Sequence, residues 1–491
     1  MVQVERTTIA EGLEIPRILN GLWQLAGGHD DDVQVAAAAE AMAPLIDAGL
    51  DGFDMADHYG PAEEVIGQHN RTSSRAVTAL TKWCPPETRD RSLARAEAAV
   101  DLALRRTHQT QIALLQYHAW SYADDSYLCN LAHLRTLRRR GKIAHVGVTN
   151  VDAAHLELLL DSGFDIATNQ VSCSVIDRRV TGGRMAAVCE KRGVGILAYG
   201  TLLGGFLSES WLGAEEPTDE GGGDAELEPA QHVLGVVARV ARKHGVSVAA
   251  VAIRWVLDIP VIKAVVVGAR LTEDSGTHAA ANLAAFGLRL DDEDRAAIAA
   301  AQTALSEIAG DCGDEYRRAP FLTAAGDLGD HHVREGDEAR RVEEAVADGQ
   351  RVEFHSGSRW EPICGYSRAV RIGNVIRVSG TTADPPPELR SQLAVVGGRS
   401  ARSQAVAALD MIERAVRRLG GSMSDVVRTR VMLQREEDVD DVSEAHGWVF
   451  NCHRVWPANT LTTAGIIGDE NLVEIEAEAV VGSGRRVMAI S

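Results

Sequence analysis

The 491-residue chain is longer than one hydrophobic core organises, so two or three domains are expected. Its composition, 45% hydrophobic and 24% charged with 14 prolines, is globular, and no apolar run approaches the roughly 18 residues of a membrane span. A formal charge of −20 speaks against nucleic-acid binding, and seven cysteines without a CxxC pair point to reduced thiols in a cytoplasmic protein, not to a metal or a disulfide frame.

From Arg17 to His278 one unit recurs: a short β-branched run, a polar turn, then an amphipathic helix. The spacing predicts strands at Arg17–Leu22, Gly52–Ala56, Val77–Trp83, Ile112–His118, Ile143–Asn150, Asp165–Gln170, Val194–Tyr199 and Ile262–Gly268. Helical patterns lie between them at Val33–Ala48, Ser92–Arg106, Tyr127–Arg140, Ala153–Ser162 and Gly183–Arg192. Eight strands alternating with helices predict an α/β fold, a closed (β/α)8 TIM barrel over residues 1–310. An open doubly wound sheet competes, but no GxGxxG follows an early strand. The Gly-rich stretch Gly204–Ala230 reads as a long loop at the barrel's C-terminal rim, a lid or a plain insertion. A helix pair, Val233–His244 and Ser247–Leu257, precedes the last strand, and a helix running to about Ile308 follows it.

Residues 311–350 read as a linker with one charged helix, Val333–Ala347, and a solvated His331-His332 pair. Asp311–Arg318 is either a surface linker or a tail returning over the barrel. Residues 351–491 form a separate α+β domain, with strands at Ala369–Ser379, Val426–Leu433, Thr460–Ile466 and Val473–Val481 and helices at Ser403–Leu419 and Val442–Arg454.

In a TIM barrel the chemistry sits at the C-terminal ends of the strands. Those positions hold Trp23, Asp54, Lys82, His118, Asn150, Gln170, Tyr199 and Gly268, with Tyr59 one short loop beyond Asp54. Each has a structural reading, as a lysine snorkelling to the rim or a histidine satisfied in the core. Their convergence favours chemistry: Asp54 holds Lys82 charged, the ammonium makes the Tyr59 phenol a better acid, and His118 polarises a carbonyl oxygen that Tyr59 protonates. No side chain supplies a hydride, so a cofactor is required.

Residues 5–308 resemble the aldo-keto reductases through Phe53-Asp-Met-Ala-Asp-His-Tyr-Gly60, Thr81-Lys-Trp83, Leu114-Leu-Gln-Tyr-His118, Gly141–Asn150, Asn169-Gln170, Ala198-Tyr-Gly200 and Val267-Gly-Ala-Arg270. The resemblance implies a catalytic tetrad of Asp54, Tyr59, Lys82 and His118. It implies a nicotinamide nucleotide held by Thr149, Asn150, Gln170, Tyr199, Gly200, Gly268, Arg270 and Asn282, and a small carbonyl substrate. Arg270 favours NADP(H), whereas the acidic insert around Glu273 and Asp274 weighs toward NAD(H). Trp23, Trp83 and Trp120 are candidates for the substrate wall.

Residues 352–485 resemble the Rid (YjgF, RutC-like) family through Gly365-Tyr-Ser-Arg-Ala-Val370, Val378-Ser-Gly-Thr-Thr382, Val426–Arg430, Pro457-Ala-Asn459 and Val473–Ala477. This implies a chorismate-mutase-like domain, a homotrimer, and a pocket containing Tyr366, Asn459 and Glu474. Asn459 stands where the deaminases of that family carry an arginine, which puts imine deamination in doubt and leaves trimerisation or ligand binding. Three readings follow: a carbonyl oxidoreductase carrying an assembly domain, a nonenzymatic nucleotide sensor, or a bifunctional enzyme whose second domain acts on an imine or enamine.

Overall fold

The computed structural model describes residues 3–26, 33–85, 90–214, 227–317, 321 and 336–485. Eight parallel strands follow one another around a closed barrel: Ile18–Gly21, Gly52–Asp54, Thr78–Trp83, Ile112–His118, Ile143–Thr149, Thr168–Ser172, Gly195–Tyr199 and Ile262–Gly268. Closure is made by the eighth strand against the first, with Val265 opposite Ile18 and Gly268 opposite Gly21. The predicted strands are all present: Ile112–His118 and Ile262–Gly268 keep their bounds, the sixth is Thr168–Ser172 where Asp165–Gln170 is predicted, and the others are shortened at one end or both.

Side chains alternate along each strand, and this period-two pattern sorts two cores. Outward residues such as Phe53, Leu115, Tyr117, Val148, Ile196 and Val265 pack under the helices. Inward residues Leu19, Leu80, Leu114, Leu197 and Ala264 form an apolar layer across the barrel's lower half. That layer is plugged by an antiparallel hairpin, Arg6–Ala10 and Leu13–Pro16, whose Ile9, Leu13 and Ile15 complete the cluster. The sequence pattern did not reveal the hairpin, because its two short strands carry few apolar residues.

Several helices differ from expectation for local reasons. The predicted Val33–Ala48 helix is two, Val35–Glu40 and Ala43–Asp47, because Pro44 is accommodated in a first turn but not inside a helix. Two further helices, Ala62–Thr72 and Ser275–Gly287, were not foreseen. The helix after the barrel, Asp292–Gln302, starts on a capping box between Asp291 and Asp294 and stops well before Ile308. Gln302 anchors that end, donating to the Val175 carbonyl at 2.6 Å. Of the Gly204–Ala230 stretch, residues 215–226 lie outside the described residues, as do His331 and His332. Among the described residues no helix is long and apolar enough to cross a membrane.

The second domain is a six-stranded sheet in the order Val352–Phe354, Ala369–Ile372, Val375–Thr381, Val473–Val480, Val426–Leu433, Ala458–Thr463. Ala369–Ser379, predicted as one strand, is a hairpin that reverses at Gly373-Asn374, with Gly373 at φ +58°. Helices Ala401–Arg418 and Val439–Cys452 pack together over one face of the sheet. The charged helix Gly336–Ala347 is tied to this domain by Glu343, which accepts two hydrogen bonds from Arg371 at 2.6 and 3.1 Å.

The two domains touch through the barrel helices Ser126–Arg139 and Ala153–Asp161. At the centre His155 is fully buried, with Nδ1 2.8 Å from Asp152 and Nε2 3.0 Å from Asp410 of the second domain. Its ring stacks on Tyr122 at 3.4 Å. Burial alone would lower its pKa, but the carboxylates of Asp152 and Asp410 override this and raise it to about 9. Around it, Arg414 pairs with Asp125 at 2.5 Å, and Ser403 donates to Asp161 at 2.7 Å.

Candidate active site

Above the apolar layer the barrel interior turns polar, two residues further along three of the strands. Leu80 is followed by Lys82, Leu114 by Gln116 and then His118, and Leu197 by Tyr199. Lys82 and Asp54 are both nearly inaccessible, and the ammonium donates to Asp54 Oδ2 at 2.5 Å and to the Met55 carbonyl at 2.9 Å. The other carboxylate oxygen accepts from Gln116 at 3.1 Å and Gln170 at 2.8 Å, and those amides are linked at 3.2 Å. A buried ion pair is tolerable only when its remaining hydrogen-bonding capacity is met, and the two glutamines meet it. Gln116 had no role assigned from the sequence. Its signal was its place two residues before His118, on the same inward face.

Tyr59 stands above this pair, half-buried, with Lys82 Nζ 5.0 Å from its ring centre. The loop that carries it is held close to the chain, for a Cβ at Gly60 (φ +51°) would lie 2.4 Å from the Leu25 carbonyl oxygen. His118 is buried, edge-on to Trp120 with ring centres 4.0 Å apart. Tyr59 packs against the cluster of Ala56, Cys84 and Trp120. The structure therefore gathers Asp54, Tyr59, Lys82, His118 and Trp120 at one mouth. Trp23 is exposed in the first loop. Trp83 faces outward, packed on Tyr117 beneath Arg95, and does not join them.

Asp311–Arg317 also crosses this mouth. Asp311 accepts from the Ala153 amide at 3.0 Å, Glu315 receives two hydrogen bonds from Arg179, and Arg317 donates to the carbonyls of Ala119 (2.7 Å) and Asn150. Gly313 is at φ +89°, and a Cβ there would lie 2.0 Å from the Asn150 carbonyl oxygen. Tyr316 reaches His118 and Trp120 edge-on and brings its hydroxyl 3.5 Å from that of Tyr199. Burial beside Asp152 raises the Asp311 carboxyl.

The residues expected to hold a nucleotide lie along the fifth to eighth strand ends. Thr149 donates to the Gln170 carbonyl at 3.0 Å, and the Gln170 side chain is turned toward Asp54. The Tyr199 hydroxyl donates to Asn150 Oδ1 at 2.9 Å, and burial pushes this phenol well above its ordinary pKa. Gly200 is at φ +67°, within 3.2 Å of Ser172 Oγ when a Cβ is placed on it. Gly268 is closely approached by the Gln24 side chain, whose Oε1 is buried without a hydrogen-bond partner among the described residues. Arg270, Glu273 and Asp274 are exposed, and Asn282 is partly exposed on the helix Ser275–Gly287. An orphaned acceptor beside a glycine and a partly exposed tyrosine at a strand end fit a ligand with hydroxyl donors and an aromatic ring.

In the second domain Arg368 donates to the Gly380 carbonyl at 2.7 Å and lies 5.8 Å over the Tyr366 ring. Burial and Glu476 raise the Glu474 carboxyl, while Arg368 acts the other way. Asn459 sits apart from these groups within one chain, opposite Thr429, from which it accepts a hydrogen bond at 3.2 Å; Glu474 is opposite Met432.

Residues 356–481 match the Endoribonuclease L-PSP family, and residues 17–303 match the Aldo/keto reductase family. The chain is 26% identical over 275 residues to 6-dehydroglucose reductase of Agrobacterium fabrum, covering 52% of this chain and 85% of that one. It is 34% identical over 133 residues to Flagellar radial spoke protein 5 of Chlamydomonas reinhardtii, where it spans 24% of this chain and only a quarter of the relative. The aldo-keto reductase AKR11C1 from Bacillus halodurans shares the barrel fold, with a TM-score of 0.51 and 20% identity over 62% of this chain and 99% of that one. With a family match spanning more than half of its length, the chain belongs to the Aldo/keto reductase family.

Proposed function

We propose that this oxidoreductase reduces a small carbonyl compound, or runs the reverse alcohol oxidation, with Tyr59 as the proton donor and acceptor. The observation that carries the reading is the buried Lys82–Asp54 pair beneath the Tyr59 ring, capped by Gln116 and Gln170. An ammonium held in a fixed, water-poor place stabilises the phenolate left after proton transfer, and such positioned acids contribute about 10²–10⁴ in rate. His118, at the same mouth, would orient and polarise the carbonyl oxygen.

A nicotinamide nucleotide, NADP(H) in preference to NAD(H), would supply the hydride. Thr149, Asn150, Gln170 and Tyr199 would hold its nicotinamide, and Gly200, Gly268, Arg270 and Asn282 the remainder. Full-length Tyr59→Phe should lose at least about 100-fold in kcat/KM on an aldehyde panel while its nucleotide Kd, read by tryptophan fluorescence, stays near wild type. Retained carbonyl reduction would sink the assignment.

The second domain serves assembly, as a homotrimer. Trp456 and Ile467 are 81% and 91% exposed, and Ile363 and Ile372 also face solvent, as an unburied oligomer surface would. Light scattering after size exclusion should give about three times the 52.6 kDa chain mass, and a monomer would end this reading.

A further inference from the structure

A cavity of about 460 Å³ lies beside the barrel mouth, lined by Ser172, Arg179, Tyr199, Glu315, Tyr316 and, from the second domain, Arg454; the tetrad does not line it, and Tyr316, edge-on to His118, links the two. The charges on its walls are unequal in availability. The Arg179 guanidinium is consumed by Asp177 and Glu315, with four contacts of 2.6–3.1 Å, and Glu315 is neutralised in return. Arg454 has no carboxylate partner among the described residues; its guanidinium lies 6.0 Å over the Phe321 ring at the cavity's edge.

The backbone of Arg454 carries an independent signal. The helix Val439–Cys452 ends at His453, and the next residue, Arg454, is left-handed at φ +54°. The Val455 amide then returns to the Phe450 carbonyl at 3.2 Å. Glycine is the residue suited to that position after a helix, and an arginine there is strained. Strain kept at a position whose side chain borders a cavity points to a role for the side chain.

We propose that Arg454 is a specificity residue of the reductase cavity, its guanidinium recognising a carboxylate or phosphate on the carbonyl substrate. The inference rests on the carbonyl-oxidoreductase reading and adds the substrate class. A planar fork of donors suits either anion, and on a chain of formal charge −20 a local cation is needed to draw one in. The second domain thereby contributes a wall to the active site as well as assembly.

The test compares full-length wild type with Arg454→Gly and Arg454→Lys on butanal and succinic semialdehyde, four-carbon aldehydes that differ by a carboxylate. In Arg454→Gly the ratio of kcat/KM for succinic semialdehyde over butanal should fall about 10- to 100-fold, mainly through KM, the range of one charge-assisted hydrogen bond. Arg454→Lys should recover part of it. The melting temperature of Arg454→Gly should not drop, since glycine relieves the left-handed residue. An unchanged ratio overturns the proposal. So does weaker NADPH binding with that ratio unchanged, which would assign the guanidinium to the nucleotide's phosphates. If wild type reduces neither aldehyde, neither is its substrate, the oxidoreductase reading is judged by the Tyr59→Phe comparison instead, and calorimetric binding of succinate decides the role of Arg454. Binding lost in Arg454→Gly supports anion recognition; equal or absent binding in both refutes it.

Discussion

Asp54 is held by three donors, Lys82, Gln116 and Gln170, from three different strands. Removing the carboxylate leaves a buried ammonium uncompensated, which costs about 3–5 kcal/mol, whereas removing both charges costs far less. Asp54→Ala should therefore lower barrel stability by about that amount in urea unfolding. Adding Lys82→Met should restore most of the stability without restoring turnover. Equal destabilisation in the single and double variants would mean that the pair is not coupled as the geometry implies. Asp54, Lys82 and His118 were legible from the sequence because each stands at or near the C-terminal end of a predicted strand, where a TIM barrel keeps its chemistry. Gln116, two residues before His118, shares its inward face and donates to Asp54. The inward or outward fate of a tryptophan was less legible, and Trp83, next to Lys82, takes the opposite face.

At the scale of elements, the strands and most helices follow from local pattern, while the segment Asp311–Arg317 does not. Its composition is that of a surface linker. What fastens it are partners more than 130 residues away, Arg179 for Glu315 and the Asn150 carbonyl for Arg317, together with the absence of a Cβ at Gly313. No local propensity encodes such contacts. The hairpin Arg6–Ala10 and Leu13–Pro16 escapes notice similarly, because its apolar residues gain their meaning only against the barrel's lower layer. By contrast, the break at Pro44 is purely local.

For the whole molecule, the decisive contact is His155 between Asp152 and Asp410. Its folded pKa, about 9, lies above the ordinary histidine value. The charged form is thus favoured by folding, so its contribution is complete below about pH 6.5, declines as pH rises, and is lost above about 9. Tyr122 stacks on His155 and lies 4.6 Å beneath Arg317, so the domain interface and the segment over the mouth share a support. The wild-type melting temperature should fall more steeply between pH 6.5 and 9 than that of His155→Gln, whose curve lacks this titration. Parallel curves would remove His155 from the interface energetics.

The amino-acid sequence by itself determined the barrel, the order of its strands, the α+β second domain, and which side chains stand at the strand ends. These follow from hydrophobic periodicity and turn residues, which are properties of a few neighbouring positions. Only the tertiary structure decided that Gln116 and Gln170 cap Asp54, that Tyr316 stands against His118, and that Arg454 of one domain borders the cavity of the other. Those outcomes depend on how far-separated segments pack and which buried charges find partners, and the free energy of such contacts exists only once the chain is folded.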